Sequence, residues 1–227
     1  MLELYHLGVA TSTVPRLAVL LDPLLPSRPA VEVMTGRPLA SRREYVSHLG
    51  AWDGHEVLLT TVGIGAPPLA IAVEELARSG VKAFLLLGTA TFSDAVTSST
   101  LLPHGAVRGD GTSAQYAPLP FPAVPDPLLR ARLASAAGNA ASYGLVESVD
   151  VEDGRLPPAA HVVARDLRCA ALFVTAAARG VRAAALLIDP DRVDATRGGV
   201  DPYEVGDMAV AAYRALSSTQ TSEGEGT

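Results

Sequence analysis

The 227-residue sequence predicts an α/β protein, a mostly parallel sheet covered by helices on both faces, and three features predict it. Two apolar runs, 81–87 (broken only by Lys82) and 183–188, fit strands buried on both sides. Apolar positions at helical spacing, Ile71, Val73, Leu76 and Ala77, occupy a segment beside Glu74 and Glu75, which are expected to face solvent. Strand-like and helix-like stretches alternate along the chain, as they do where helices cross between parallel strands.

The elements follow in order. Residues 17–21 read as a short strand ending at Asp22-Pro23. Residues 45–52 and 56–62 flank Asp53-Gly54, whose tolerance of positive φ marks a tight hairpin. Gly63 and Gly65 lead into a helix over 67–79, and Gly80 and Gly88 bound the strand over 81–87. A helix is expected over 126–137 and a strand over 144–149. Residues 164–179 read as a long Ala-rich helix ended by Gly180. Asp201, Pro202 and Glu204 have the spacing of a capping box, so a last helix is expected to run to Leu216. The expectation is a single domain over 1–216 and a polar, disordered tail over 217–227.

Composition narrows the function. With 48% hydrophobic and 19% charged residues the chain is globular. A net charge of −6 argues against a nucleic-acid partner, which needs clustered cations. The lone Cys169 fits a small buried hydrophobe in a reducing compartment. The N-terminal residues lack a basic n-region, and no apolar run approaches the ~20 residues of a membrane span, so a cytoplasmic protein is expected. The histidines His6, His48, His55, His104 and His161 have no metal-ligand spacing, and neither a metal nor a cofactor is expected.

Ligands of such sheets bind beyond the carboxyl ends of the strands, which directs attention to Asp22, 63–67, 88–92 and 189–192. Gly63-Ile64-Gly65 and Gly88-Thr89 suit either an anion cradle at a helix N-terminus or plain turn chemistry. Asp189 and Asp191 suit either an acid at a strand end or solvated loop carboxylates.

Three segments resemble the uridine phosphorylases of the nucleoside phosphorylase family. They are Arg43-Glu44-Tyr45 with the hairpin into Gly63-Ile64-Gly65-Ala66-Pro67 and the helix after it, Phe84-Leu85-Leu86-Leu87-Gly88-Thr89, and the run from Arg108-Gly109-Asp110 to Pro118 and Val124. Tyr5-His6-Leu7-Gly8 is similar to the family's opening, and the likeness runs from about residue 5 to 135, resuming weakly over 167–183. The resemblance implies a central mixed, mostly parallel sheet, and a reaction in which phosphate attacks the anomeric carbon of a nucleoside as the base departs. Such a site neutralises phosphate and holds the ribose hydroxyls around an oxocarbenium-like sugar.

Carried over position by position, the pattern is uneven. The family's Gly-Asp-Pro turn matches Asp22-Pro23, with Leu21 in place of the Gly and Leu25 in place of the Arg that follows. The strand Arg falls on Leu86; Thr89 matches, and the next Thr is Ala90. The ribose-binding Met-Glu pair falls on Leu167 and Arg168, and the Gln/Arg loop that reads the base has no counterpart in the short segment 151–161. Each lost arginine removes a charge-assisted contact of roughly 1.5–3 kcal/mol. A cation at Arg168 has the wrong sign beside a cationic ribose. The His and Arg that the family's neighbouring subunit lends across a dimer interface match His6 and Arg43, and both are present.

Three functions are compatible with this pattern. The first is a divergent phosphorylase or N-glycosidase, with Asp189 as the acid and His6, Arg43, Thr89, Gly88 and Gly65 as substrate binders. Leu21, Leu25 and Leu86 would then line a drier pocket. The second is a non-catalytic subunit that donates His6 and Arg43 to a catalytic homologue. The third is a small-molecule-binding protein that reuses the pocket. The implied partners are a nucleoside-like small molecule, phosphate, and other subunits in a dimer-based homo- or hetero-oligomer of up to six chains.

Overall fold

A computed structural model describes residues 2–23, 36–52, 54–137, 141–151 and 161–190. Among these residues ten strands form one sheet in the order β2-β3-β4-β1-β5-β10-β7-β8-β9-β6. The central strands are β1 (Leu17–Leu21), β4 (His55–Thr61), β5 (Ala83–Thr89) and β10 (Arg182–Ile188), all mutually parallel along the order β4-β1-β5-β10. Beyond them β2 (Arg37–Arg42) and β3 (Tyr45–Trp52) add an antiparallel flank. On the other side β7 (Thr100–Gly109) runs antiparallel to β10, then β8 (Ser142–Val149) and β9 (Val162–Asp166) continue parallel to it. The short β6 (Thr91–Phe92) closes that edge against β9. The sheet is therefore mixed, with a parallel centre.

Burial explains the centre. Every residue of β1 is buried, as is β5 from Ala83 to Gly88, so neither strand shows a solvent face. Each fully buried leucine contributes about 1.5–3 kcal/mol. Alternate residues feed two cores. Leu20 and Leu86 join the side covered by helix α1 (Ala66–Arg78) and helix α4 (Cys169–Ala178). Leu21, Leu85 and Leu87 join the opposite side with Leu129 and Leu133 of helix α3 (Pro127–Ala137). Helices thus cover both faces.

Local chemistry sets the ends of α1. Gly65 adopts φ +88° just before it, and Pro67 sits in the first turn, where a backbone donor is not needed. Glu74 and Glu75 are half-buried and engaged, contrary to the expectation that they face solvent. Glu74 pairs with Arg78 and with Arg179 beyond α4, while Glu75 accepts backbone N–H groups from His6 and Leu7.

Parts of the expected order change, and β2, β6 and β7 are added to it. The predicted helix over 164–179 splits into β9 and α4, because Asp166 ends the strand and caps the helix: its Oδ2 accepts from Arg168 N at 3.1 Å and Cys169 N at 2.7 Å. Burial raises the pKa of the Asp166 carboxyl, against the lowering effect of those hydrogen bonds and one from Ser148. The ten-residue β7 had no sequence prediction, since Pro103 and Gly105 interrupt its pattern; the register against β8 shifts there. The expected last helix, the tail, Asp191 and Leu25 lie outside the described residues.

Candidate functional site

The carboxyl ends of β1, β5 and β10 converge, and each places a polar residue there. Asp22 follows β1, Thr89 ends β5 and Asp189 follows β10, with Ile188 in register with Thr89. Asp22 is fully buried and Arg168 is 3% exposed. Arg168 lies just before α4 and reaches back across the strand ends to Asp22, donating from Nη1 to Oδ2 at 2.5 Å. Its other nitrogens face the Gly63 carbonyl at 3.4 Å. The same Asp22 Oδ2 accepts from Thr89 N at 3.1 Å and from Thr89 Oγ1 at 2.6 Å. One carboxylate oxygen therefore collects a guanidinium, a backbone amide and a hydroxyl.

This geometry revises the expected role of Arg168. Its positive charge is matched by Asp22 inside the protein, so it does not stand bare beside a sugar site. The pairing links residues 146 positions apart and leaves no local sequence signal.

The leucine substitutions are also placed differently from the expectation. Leu86 and Leu21 lie in the two opposite cores, so they do not line one pocket together. Their side chains fill the interior. Gly88 is packed close to β10, where an added Cβ would come 3.0 Å from Leu187 Cδ2. Gly65 lies on a groove of ≈ 380 Å³ with Ile64, Leu167, Gln115 and Asp150 among its walls.

Asp189 is 5% exposed and not a solvated loop carboxylate. Its Oδ2 accepts from Phe92 N at 3.2 Å, and its own amide donates to the Ser99 carbonyl. It is thus held between two neighbouring segments at the sheet's carboxyl edge.

His6 and Arg43 come together elsewhere, near the molecular surface. Arg43 Nη1 lies 3.0 Å from His6 Nδ1. A guanidinium only donates, so Nδ1 accepts and the proton of the neutral ring sits on Nε2. Arg43 also stacks over the exposed Tyr5 ring at 5.4 Å, and Tyr5 meets His6 edge-on at 4.8 Å. The His6 segment is pinned by Glu75, whose carboxylate takes both backbone amides. Arg43 is the first of two turn residues between the paired Arg42 and Tyr45 and has φ +55°. That conformation suits glycine and costs an arginine about 1 kcal/mol. Tyr45, two residues on, is buried with its hydroxyl donating to Pro68 O; burial and then the Glu44 and Glu75 charges raise its pKa.

The Arg108–Val124 segment, a specific part of the resemblance, puts Gln115 on the groove, while Asp110 and Arg108 hold the segment in shape. Asp110 caps the short helix α2 (Gly111–Ala114), accepting from Ser113 N and Oγ. Arg108 donates to Ser113 Oγ and to the carbonyls of Ala117, Pro118 and Phe121, which holds the 117–121 loop in shape.

Among the described residues no group of three or more His, Cys, Asp and Glu side chains could hold a metal ion, and no helix is long and apolar enough to cross a membrane.

Comparison with known proteins agrees with the fold. The sequence profile of the phosphorylase superfamily matches residues 6–218. The chain is 30% identical to a uridine phosphorylase of Treponema pallidum over 239 residues, covering 95% of this chain and 93% of that protein. It is 31% identical to a guanosine phosphorylase of Halorubrum lacusprofundi over 175 residues, 72% of this chain and 73% of the other. The crystal structure of uridine phosphorylase from Vibrio fischeri ES114 superposes with a TM-score of 0.80 at 24% identity, covering 96% and 98% of the two chains. The mixed ten-stranded sheet is thus the sheet of a family: the chain belongs to the phosphorylase superfamily and is uridine phosphorylase-like.

Proposed function

We propose that this protein takes a nucleoside or related N-glycoside at the carboxyl edge of its sheet, as a divergent member of the family in which ordinary phosphorolysis is weakened. The observation that carries this reading is the convergence of Asp22, Thr89 and Asp189 on one edge, beside a groove that includes Gly65 and Leu167. The likeness to proteins named for uridine and guanosine phosphorolysis supports the ligand class. The interior placement of Leu86, where the family's pattern has an arginine, supports the weakened phosphate chemistry. If the chain is catalytic, Asp189 is the acid that assists departure of the base, with Thr89, Gly88 and Gly65 shaping the site. The reaction would then be pentosyl transfer or N-glycoside cleavage.

A panel of purine and pyrimidine nucleosides, assayed for released base with and without phosphate, tests this. Base release from at least one nucleoside is expected, with little dependence on phosphate. No turnover and no binding across the panel would overturn it.

One observation favours a second reading. The Arg43–His6 pair is preassembled on the surface, and its arginine occupies a costly turn conformation. Such a pair suits donation across an interface, within a homo-oligomer or to a catalytic homologue. Co-expression with a catalytic homologue from the same genome should give a mixed oligomer whose activity falls with Arg43→Ala. Homo-oligomers alone, with the homologue's activity unchanged, would contradict it.

A further inference from the structure

A groove begins where the strand-end cluster stops. Arg168 spans Asp22 and the Gly63 carbonyl, and the residues next to Arg168 and Gly63 in the chain, Leu167 and Ile64, are walls of the ≈ 380 Å³ groove. That volume lies at the small end of ligand pockets, about 300–1,000 Å³, and leaves room for one small molecule. The walls are of two kinds. Ile64, Pro67 and Leu167 offer apolar surface, while Thr112, Gln115 and Asp150 offer polar groups. Apolar surface for the faces of a ring and a few polar groups for its edge are what a site for a flat heterocycle needs.

The polar wall is presented from a fixed backbone. Asp150 Oδ2 accepts from Gly111 N at 2.8 Å, which ties the end of β8 to α2. The approach is close, since a Cβ on Gly111 would lie 3.3 Å from that oxygen. Asp110 caps α2, and Gln115 N donates to Thr112 O at 3.0 Å. Among the described residues the groove wall holds one carboxylate and no Lys or Arg. A carboxylate only accepts, so the ligand edge that meets Asp150 has to bring N–H donors.

We infer that this groove reads the base of the ligand, and that Asp150 sets a preference for a guanine-type base, with two adjacent N–H donors on its edge, over uracil. The inference rests on the nucleoside reading above. Guanine presents N1–H and the 2-amino group side by side, followed by the carbonyl at C6. A carboxylate takes both donors as parallel, charge-assisted hydrogen bonds. The Gln115 amide N–H then donates to the C6 carbonyl. Uracil presents one N3–H between two carbonyl oxygens, so the same carboxylate gains a single hydrogen bond and faces two oxygens of like partial charge. Hypoxanthine keeps N1–H and the C6 carbonyl without the amino group, and so isolates the second donor.

Calorimetric titration of the full chain with guanosine, inosine and uridine tests this. Wild type should bind guanosine about tenfold or more tightly than inosine, the worth of one charge-assisted hydrogen bond, and uridine more weakly than guanosine. Asp150→Asn keeps an oxygen for the Gly111 amide and turns one acceptor into a donor. It should abolish the advantage of guanosine over inosine, whereas a purely structural role would weaken all three nucleosides alike. Gln115→Ala should weaken guanosine and inosine by the same factor, about threefold or more, because both carry the C6 carbonyl. If Asp150→Asn does not fold, the wild-type ratio and Gln115→Ala decide the matter. Equal affinity of wild type for guanosine and inosine would overturn the inference, as would an Asp150→Asn protein that keeps the guanosine advantage. Wild-type protein that binds none of the three removes the nucleoside reading and this inference with it; binding of all three without preference removes the inference alone.

Discussion

Arg168 and Arg43 hold opposite places in this molecule. Arg168 is buried, paired with a buried aspartate, and fixed against the Gly63 carbonyl. Arg43 is exposed, meets His6 and the Tyr5 ring, and sits in a turn conformation that glycine would hold more easily. The first has its charge consumed inside its own subunit. The second keeps its charge at the surface at some cost in backbone strain. Strain that persists in an otherwise well-packed chain points to a use outside the fold. The difference teaches that an arginine's presence says little until its partner is known: one is committed to the interior, and the other is left available to a neighbour.

Substitutions can break or sharpen this contrast. The largest effect is expected at the buried pair. Arg168→Ala leaves Asp22 as an uncompensated buried charge and should lower stability by about 3–5 kcal/mol in denaturant unfolding. The double substitution Asp22→Asn/Arg168→Leu removes both charges and should recover most of that loss. A small loss in Arg168→Ala would mean the pair is solvated and the contrast false.

Arg108→Ala should come next, because it removes the hydrogen bonds that hold the carbonyls of 117–121. A loss of about 2–3 kcal/mol is expected, with the affinity for uridine unchanged. A change in affinity with little loss of stability would assign this arginine to ligand binding.

At the exposed end, Arg43→Gly should be stabilising by about 0.5–1 kcal/mol, since it relieves the left-handed φ +55°, partly offset by the flexibility of an unfolded glycine. Arg43→Ala keeps the strain and removes the charge, so its stability should change by less than about 0.5 kcal/mol. Comparing the two separates backbone cost from the donated group. A marked loss of stability in Arg43→Ala would make it a structural residue.

The smallest effect concerns His104, on the far strand β7. Its ring lies 2.5 Å from Arg130 Nη2 and stacks on Tyr143, and burial followed by the Arg130 charge lowers its pKa below 6.5. A histidine that resists protonation when folded contributes stability above the unfolded pKa. That contribution is lost as pH falls through 6.5 toward the lowered folded value. In His104→Gln the fall in stability below this pH should be shallower, as read from unfolding midpoints across the range.

How much was legible in the sequence follows from the range of each interaction. The strands β1, β5 and β10 are continuous apolar runs, and α1 has its glycine before it and its proline in the first turn, so local pattern sufficed. The resemblance grouped His6 and Arg43 as residues lent across an interface, and their contact with each other appears only in the fold. The strand β9 was hidden because Val162 to Asp166 runs into an Ala-rich helix, and only pairing with β8 and the Asp166 cap separates them. The burial of Asp22 against Arg168 was not legible at all. No periodicity or motif connects positions 146 residues apart; the sheet order and the reach of one side chain do.

The most direct test of the central claim is the coupling between uridine and phosphate. Calorimetric titration of uridine into the full-length protein, with and without saturating inorganic phosphate, measures it, since any shared site must change one affinity when the other ligand is bound. A site in which ordinary phosphorolysis is weakened predicts uridine binding with the same Kd in both conditions. Uridine affinity that rises about tenfold or more with phosphate, and loses that rise in Thr89→Ala, would contradict it.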